Sequence, residues 1–462
     1  MSGLWEYWHW LVLAWMGMGF SVVFLRTPQL LFQMTLGSVF LGVLTAIPVG
    51  FTLKAPQFFS LLGLIVHALQ PVLTAQRLSP VPQAAATAAF PLRWCIPFGL
   101  FALSLLPSFY GVSAPEAALS ADHSPIRLLF NLGFLYLFTL FMLLRIRTPQ
   151  ALQRAVYWGI FSCALSLGFG FLQQIAFYMG RYNPFAHIGR HNSIVDFYGP
   201  FLRFAPGTFA NEYGEILQTM GLFAFMVLYF PRAQDRQQES VTAHTHRPLL
   251  MIFLASVVIA LVLNFTRASW IVFAVGILIQ MIYARFSVLR LTGIAIGGGL
   301  VLGVLLYVSQ QVLEVSLLLQ IGARFEELGS PQAHSAGQRL ATWALAWDAF
   351  LKAPVWGQGL GKFVVTHNVP LQLLAETGVV GLMGFYGLMI WCLHKGVWAY
   401  YRTQTLMLKQ ILFTSGLGIL GCLAFDLTNH GIYHFVLWYC IGLLLAGAAC
   451  VYREQTLHPL ST

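Results

Sequence analysis

His367 opens "HNVPLQLLAETGVVGL", a lone imidazole at the lip of a strongly apolar run. An imidazole titrates near neutral pH, so a neutral His beside a hydroxyl can act as a general base. Neither an HxxH or HxxxH partner nor a Cys or Asp at ligand spacing accompanies it, which argues against a metal centre. A histidine bordering an apolar face is more often structural than catalytic, and its company decides between the two.

Three arginines supply that company. Arg267 in "LNFTRASW" lies between two apolar runs with almost no loop. Arg339 stands near the start of "SAGQRLATWALAWDAFLKAP", and Arg203 opens "RFAPGTFANEYGE". Arg267 could simply snorkel to an interface, and Arg339 could be a solvated surface arginine. An arginine at membrane depth costs about 2.5–3.5 kcal/mol on insertion scales, which makes it a functional candidate. Its planar fork stays charged and donates paired hydrogen bonds, a fit for an oxyanion such as a diphosphate. In 335–354, Ser335 and Gln338 form a capping-box pattern. Leu340, Trp343, Ala344, Trp347, Phe350 and Leu351 then follow helical spacing, and Pro354 stops the helix. This predicts Arg339 in a first turn, where free N–H groups also favour an anion. Asn211, Glu212 and Glu215 carry polarity into the next apolar run, either toward a polar cavity or as first-turn residues of a helix. Asn368, Glu376 and Arg324 are supporting candidates. "GQGLGKF" alternates glycines without a preceding strand, which predicts a turn and not a nucleotide loop. His430 and His434, four residues apart beside the last apolar run, read as a polar helix end, with metal binding the alternative.

The elements that must position these groups are membrane helices. The chain has 462 residues, 58% hydrophobic and 9% charged, against about 25% charged in soluble domains. A soluble α/β enzyme is excluded by the apolar surface it would expose. The expected fold is an all-α polytopic membrane protein. Apolar runs near 8–25, 28–47, 57–75, 90–110, 127–145, 153–178, 211–230, 249–265, 268–284, 289–309, 376–394, 407–425 and 431–451 predict about 12–13 spans. The net charge of +10 is scattered singly in short loops, so nucleic acid is not an expected partner. The basic loops 145–154, 231–247, 284–290 and 394–409 alternate onto one side, assigned to the cytoplasm. Segments 179–208 and 311–375 then lie outside, the second as a helical loop region between the tenth and eleventh spans. The expected organisation is 1–310 membrane helices including the outer segment, 311–375 extracytoplasmic loop, and 376–462 C-terminal membrane helices. The outer side would hold Arg181, Arg190, Arg203, Arg267, Arg324, Arg339, Lys352 and Lys362, a set the orientation rule disfavours. Cys95, Cys163, Cys392, Cys422, Cys440 and Cys450 lie in or beside apolar runs and read as small core or lipid-facing residues. The first apolar run leads directly to Arg26 and a second run, so it is expected to remain as a helix.

Arg267 in "TRASW", Arg339 in "GQRLATW", the glycine run from Pro354 to Gly361 and "HNVPLQLLAETGVVGL" occur in this order, preceded by "RFAPGTFANEYG". The order resembles the O-antigen ligase and polymerase superfamily of bacterial membrane glycosyltransferases, over roughly residues 200–385. The resemblance implies transfer of a glycan from a polyprenyl (undecaprenyl) diphosphate carrier to a hydroxyl acceptor, either a glycan or a lipid core. The implied location is the periplasmic, outer face of the bacterial cytoplasmic membrane, with no cofactor and no metal. It maps the general base onto His367 and the diphosphate clamps onto Arg267, Arg339 and Arg203. Glu212 departs from a commoner Asn, Thr266 from a commoner Ser, and Pro370 follows the His–Asn pair closely. A repeat-unit polymerase has the same chemistry. A transporter of lipid-linked sugar or a small anion is the reading from another class, and it favours inverted repeats that the sequence does not display.

Overall fold

The computed structural model describes residues 28–40, 46–48, 52–74, 92–109, 125–179, 197–198, 201–206, 209–229, 241–312, 316–326, 334–363, 366–429 and 431–457. The expected 8–25 span, most of the 179–208 segment, Arg181, Arg190 and His430 lie outside the described residues. The helices are α1 (Pro28–Ser38), α2 (Ala55–Thr74), α3 (Ile96–Leu105), α4 (Pro125–Arg145), α5 (Pro149–Tyr178), α6 (Ala210–Tyr229) and α7 (Val241–Asn264). They continue as α8 (Arg267–Tyr283), α9 (Val288–Val312), α10 (Leu317–Glu326), α11 (His334–Lys352), α12 (Val369–Arg402), α13 (Leu406–Phe425) and α14 (Phe435–Leu457). Two short antiparallel strand pairs, Ala46–Pro48 with Thr52–Lys54 and Phe197–Tyr198 with Phe201–Leu202, are the extended elements among the described residues.

The protein is an all-α polytopic membrane protein. Among the described residues, seven helices are long and apolar enough to cross a bilayer. Several other runs expected to span form helices that are shorter or more polar. α1 has 11 residues, a rise of about 16 Å against a hydrocarbon core of about 30 Å. α3 has 10 residues between two 3₁₀ turns, and α8 has 17. α6 is long enough, but Asn211, Glu212, Glu215, Gln218 and Thr219 break its apolar character.

The core lies around α14. Its apolar stretch is 94% buried, whereas that of α9 is mostly exposed, with Leu305 and Leu306 packed against the Phe201–Phe265 cluster. Small residues let helices approach it closely. Gly159 of α5 leaves room for the Tyr439 ring, whose hydroxyl donates to the Ala155 carbonyl at 3.0 Å. Local starts are readable in the sequence: Thr148 caps α5 by accepting from the Ala151 N–H, and Pro149 occupies a position where its missing N–H is harmless.

α12 begins at Val369, before the residue where the expected last-third spans start, and kinks at Gly378 (φ 66°, ψ −165°). The glycine run 354–363 wraps this kink as a turn. Gly357, Gly359 and Gly361 all have positive φ. Gln358 donates to the Ala375 carbonyl at 2.7 Å and Gly359 to that of Glu376 at 3.0 Å. The Glu376 carboxylate is buried and accepts from the Phe363 N–H at 2.8 Å and from Gln372 at 3.3 Å. A Cβ on Gly378 would strike the Val355 carbonyl. Gly378→Ala is therefore expected to destabilise the protein by about 1–3 kcal/mol, since that φ/ψ region is nearly exclusive to glycine. Thermal unfolding in detergent, compared with Gly387→Ala at an open helical site, checks this.

Candidate active site at one end of the helix bundle

His367 is half-buried and sits in the left-handed region at φ 50°, a strained backbone for a residue with a Cβ. Its neighbours hold that conformation. The Thr366 carbonyl accepts from the Trp343 indole at 2.8 Å, which ties the loop to α11. Asn368 caps α12, accepting from the Leu371 N–H at 2.9 Å, while its amide donates to the Leu427 carbonyl at 2.9 Å. The Val369 N–H donates to the Asp426 carbonyl at 2.9 Å. Pro370 falls in the first turn of α12 and causes no break. The loop that carries His367 is thus held between α11 and the α13–α14 turn. Burial first, and the Arg339 guanidinium second, hold the imidazole pKa below its usual range. A neutral ring is the form a general base needs.

Arg203 belongs to a second group. Its Nε donates to the Asn264 carbonyl at 2.9 Å, and its Nη2 to Asn211 Oδ1 at 3.2 Å and Thr266 Oγ1 at 2.9 Å. Thr266 donates in turn to Asn211 at 3.3 Å. Asn264 is fully buried and donates to the Phe204 and Ala210 carbonyls, each at 2.7 Å. These bonds pin the start of α6 to the α7–α8 junction. That junction turns sharply at Phe265 (φ 56°), whose ring is buried against Phe201, and Arg267 follows at the first position of α8, half-buried. Glu212 lies half-buried in the first turn of α6, where a carboxylate suits the helix dipole.

A buried pair joins the two groups. Glu215, one turn into α6, pairs with His434 Nδ1 just before α14. Asp426, whose backbone carbonyl holds Val369, is itself fully buried, and its carboxylate oxygens have no hydrogen-bond partner among the described residues. Asp426 and Glu215 act on each other electrostatically. Sequence reasoning read His434 as a polar helix end and passed over Asp426. Its signal was a lone carboxylate in an apolar stretch, and its partners come from elements far away in sequence.

Two expectations for α11 need correction. The helix starts at His334, so Ser335 is inside it and not at the cap, and Arg339 lies in the second turn, away from the free N–H groups. The apolar stripe at Leu340, Trp347 and Leu351 points outward, while Ala346 and Ala349 pack against Phe363 and Ala375. Small residues allow the closer approach, so they form the packed seam. Arg324 lies on α10, and its side chain is outside the described residues. Among the described residues, no three His, Cys, Asp or Glu side chains are grouped to hold a metal ion.

The bundle with its buried polar end defines a polytopic membrane protein that keeps titratable groups at one mouth of the helices. Residues 250–386 match the family described as O-antigen ligase, which supports a place for the chain in the O-antigen ligase superfamily. The match covers Arg267, Arg324, Arg339, His367, Asn368 and Glu376, while Arg203, Asn211 and Glu212 precede it. No curated protein matches the chain.

Proposed function

We propose that the protein transfers a glycan from a polyprenyl diphosphate carrier to a hydroxyl acceptor, with its site at the periplasmic face of the bacterial cytoplasmic membrane. The observation that carries this is His367, clamped in a left-handed backbone, half-buried and within electrostatic reach of Arg339. In the reaction, His367 takes the proton of the acceptor hydroxyl. The acceptor oxygen bonds to the anomeric carbon as the bond from that carbon to the diphosphate oxygen breaks. The electron pair leaves with the polyprenyl diphosphate, whose growing charge Arg267 and Arg339 stabilise. Arg203 uses its Nε and Nη2 to pin α6, and we assign it to positioning the Arg267 junction. Glu376 and Asn368 hold the turn and the start of α12. The outward apolar stripe of α11 suits contact with the lipid donor at the interface.

The acceptor is a lipid-linked core in the ligase reading and a second lipid-linked repeat unit in the polymerase reading. The polar groups of the candidate site gather at one end of the described bundle, whereas transport would call for them along a mid-membrane path. Binding of polyprenyl diphosphate against polyprenyl monophosphate tests the carrier assignment. A clear preference for the diphosphate is expected, and equal binding would contradict it. Transfer is also expected to persist in excess chelator; loss with rescue by added metal would bring His434 forward.

A further inference from the structure

The helix topology places a second set of charges at the end of the bundle away from His367. α12 runs away from His367 to Arg402, α13 returns to Asp426, and α14 runs away again to Arg453. Arg453 Nη1 donates to the Ile146 carbonyl at 3.2 Å, so the end of α4 lies at that same far end. Arg145 closes α4, Arg147 follows it, and His67 of α2 and Arg453 lie within electrostatic reach of these residues.

Arg145 does not behave as a snorkelling side chain. Its Nε and Nη2 are sealed from solvent and have no acceptor, and His67 Nδ1 is in the same condition. Arg145 otherwise lies over the Phe141 ring, 5.8 Å from its centroid. Snorkelling delivers the charged head to water; here the packing withholds the water and offers no oxygen in exchange. The last turn of α4 favours a cation there, yet it does not satisfy sideways-pointing donors. Among the described residues, Arg145, Arg147 and Arg453 make no ion pair with a carboxylate, and Glu454, next to Arg453, is exposed. The 75–91 segment that follows α2 contains no Asp or Glu. Sealed donors without partners on α4 and α2, beside the Arg147 and Arg453 guanidinium groups, are what a bound anion would satisfy.

We propose that Arg145, Arg147, Arg453 and His67 form a binding site for a phosphate group at the far end of the bundle. Arg145 ends a membrane-spanning stretch, so the site lies at headgroup level. The phosphate comes either from an anionic phospholipid or from free phosphate, and guanidinium forks suit both.

Native mass spectrometry of the purified protein with phosphatidylglycerol and phosphatidylcholine tests the proposal. Wild type is expected to retain phosphatidylglycerol over phosphatidylcholine, and Arg145→Gln or Arg453→Gln to lower that retention about tenfold or more. Arg154→Gln, an exposed arginine at the same end, is expected to change nothing. Inorganic phosphate that displaces the lipid and raises Tm in lipid-depleted detergent identifies free phosphate as the ligand; no effect identifies the headgroup. Should a buried-site variant fail to fold, Arg147→Gln at the exposed rim carries the same comparison. Equal retention of both lipids with no phosphate effect would overturn the site. So would losses in Arg154→Gln as large as those in Arg145→Gln, which would mean diffuse charge attraction only.

Discussion

His367→Ala is expected to lower single-turnover transfer by about 10²–10⁴-fold, the range for loss of a positioned general base, with donor binding close to that of wild type. The loop does not depend on the imidazole for its position. Trp343 holds the Thr366 carbonyl, Asn368 caps α12, and Asp426 and Leu427 hold the other side through backbone oxygens. Ala retains the strain of φ 50°; His367→Gly removes it and is expected to fold at least as well while being equally inactive. The pH dependence has a definite sign. The base works in its neutral form, and burial with Arg339 holds its pKa below the usual 6.5. The acid limb of wild-type transfer is therefore expected below pH 6.5. Replacing Arg339 by an uncharged residue removes one of the two causes, so the limb should move to higher pH. An unmoved limb would separate Arg339 from the imidazole, and near-normal turnover in both His367 variants would end the general-base assignment.

Arg267→Ala and Arg339→Ala are each expected to reduce transfer by about 10²–10³-fold, the cost of losing one preorganised donor to a developing oxyanion. Lys keeps the charge but not the fork, so each Arg→Lys variant should lie between wild type and Ala. Two residues acting on one diphosphate should give a double-Ala loss smaller than the product of the single losses. Arg324 on α10 is the control and should tolerate Lys. Arg203→Lys makes a different prediction. Its bonds to Asn264, Asn211 and Thr266 join α6 to the α7–α8 junction, so the variant should lower stability together with activity. Equal, mild losses at Arg267, Arg339 and Arg324 would mean that all three only snorkel.

The sequence made the helical membrane class legible, because long apolar runs with few charges have no other economical solution. It also pointed to the glycine turn at 357–363, whereas the helix capped by Asn368 starts at Val369, ahead of the run expected at 376–394. Span length was harder. The run at 28–47 has only scattered uncharged polar residues, yet its described helix stops at Ser38, and hydropathy alone does not mark that stop. On α11 the expected apolar stripe was real, but hydrophobic spacing does not say whether a stripe faces protein or lipid. Alanines at 346 and 349, weak in hydropathy, took the packed side because they let α11 approach α12. The Glu215–His434 pair spans 219 positions, a separation at which no local pattern links the partners. Asp426 acts through its backbone carbonyl on Val369, a role open to any residue type and so invisible to spacing.

The most direct measurement uses purified protein and a lipid-linked glycan labelled separately in its polyprenyl diphosphate and its glycan, with a lipid-core acceptor in one reaction and a second lipid-linked glycan in another. The predicted result is equal molar appearance of free polyprenyl diphosphate and of glycan joined to one of the two acceptors, lost in His367→Ala at full donor occupancy. The contradictory result is donor that stays intact with both acceptors, or that crosses a proteoliposome membrane with both labels still joined.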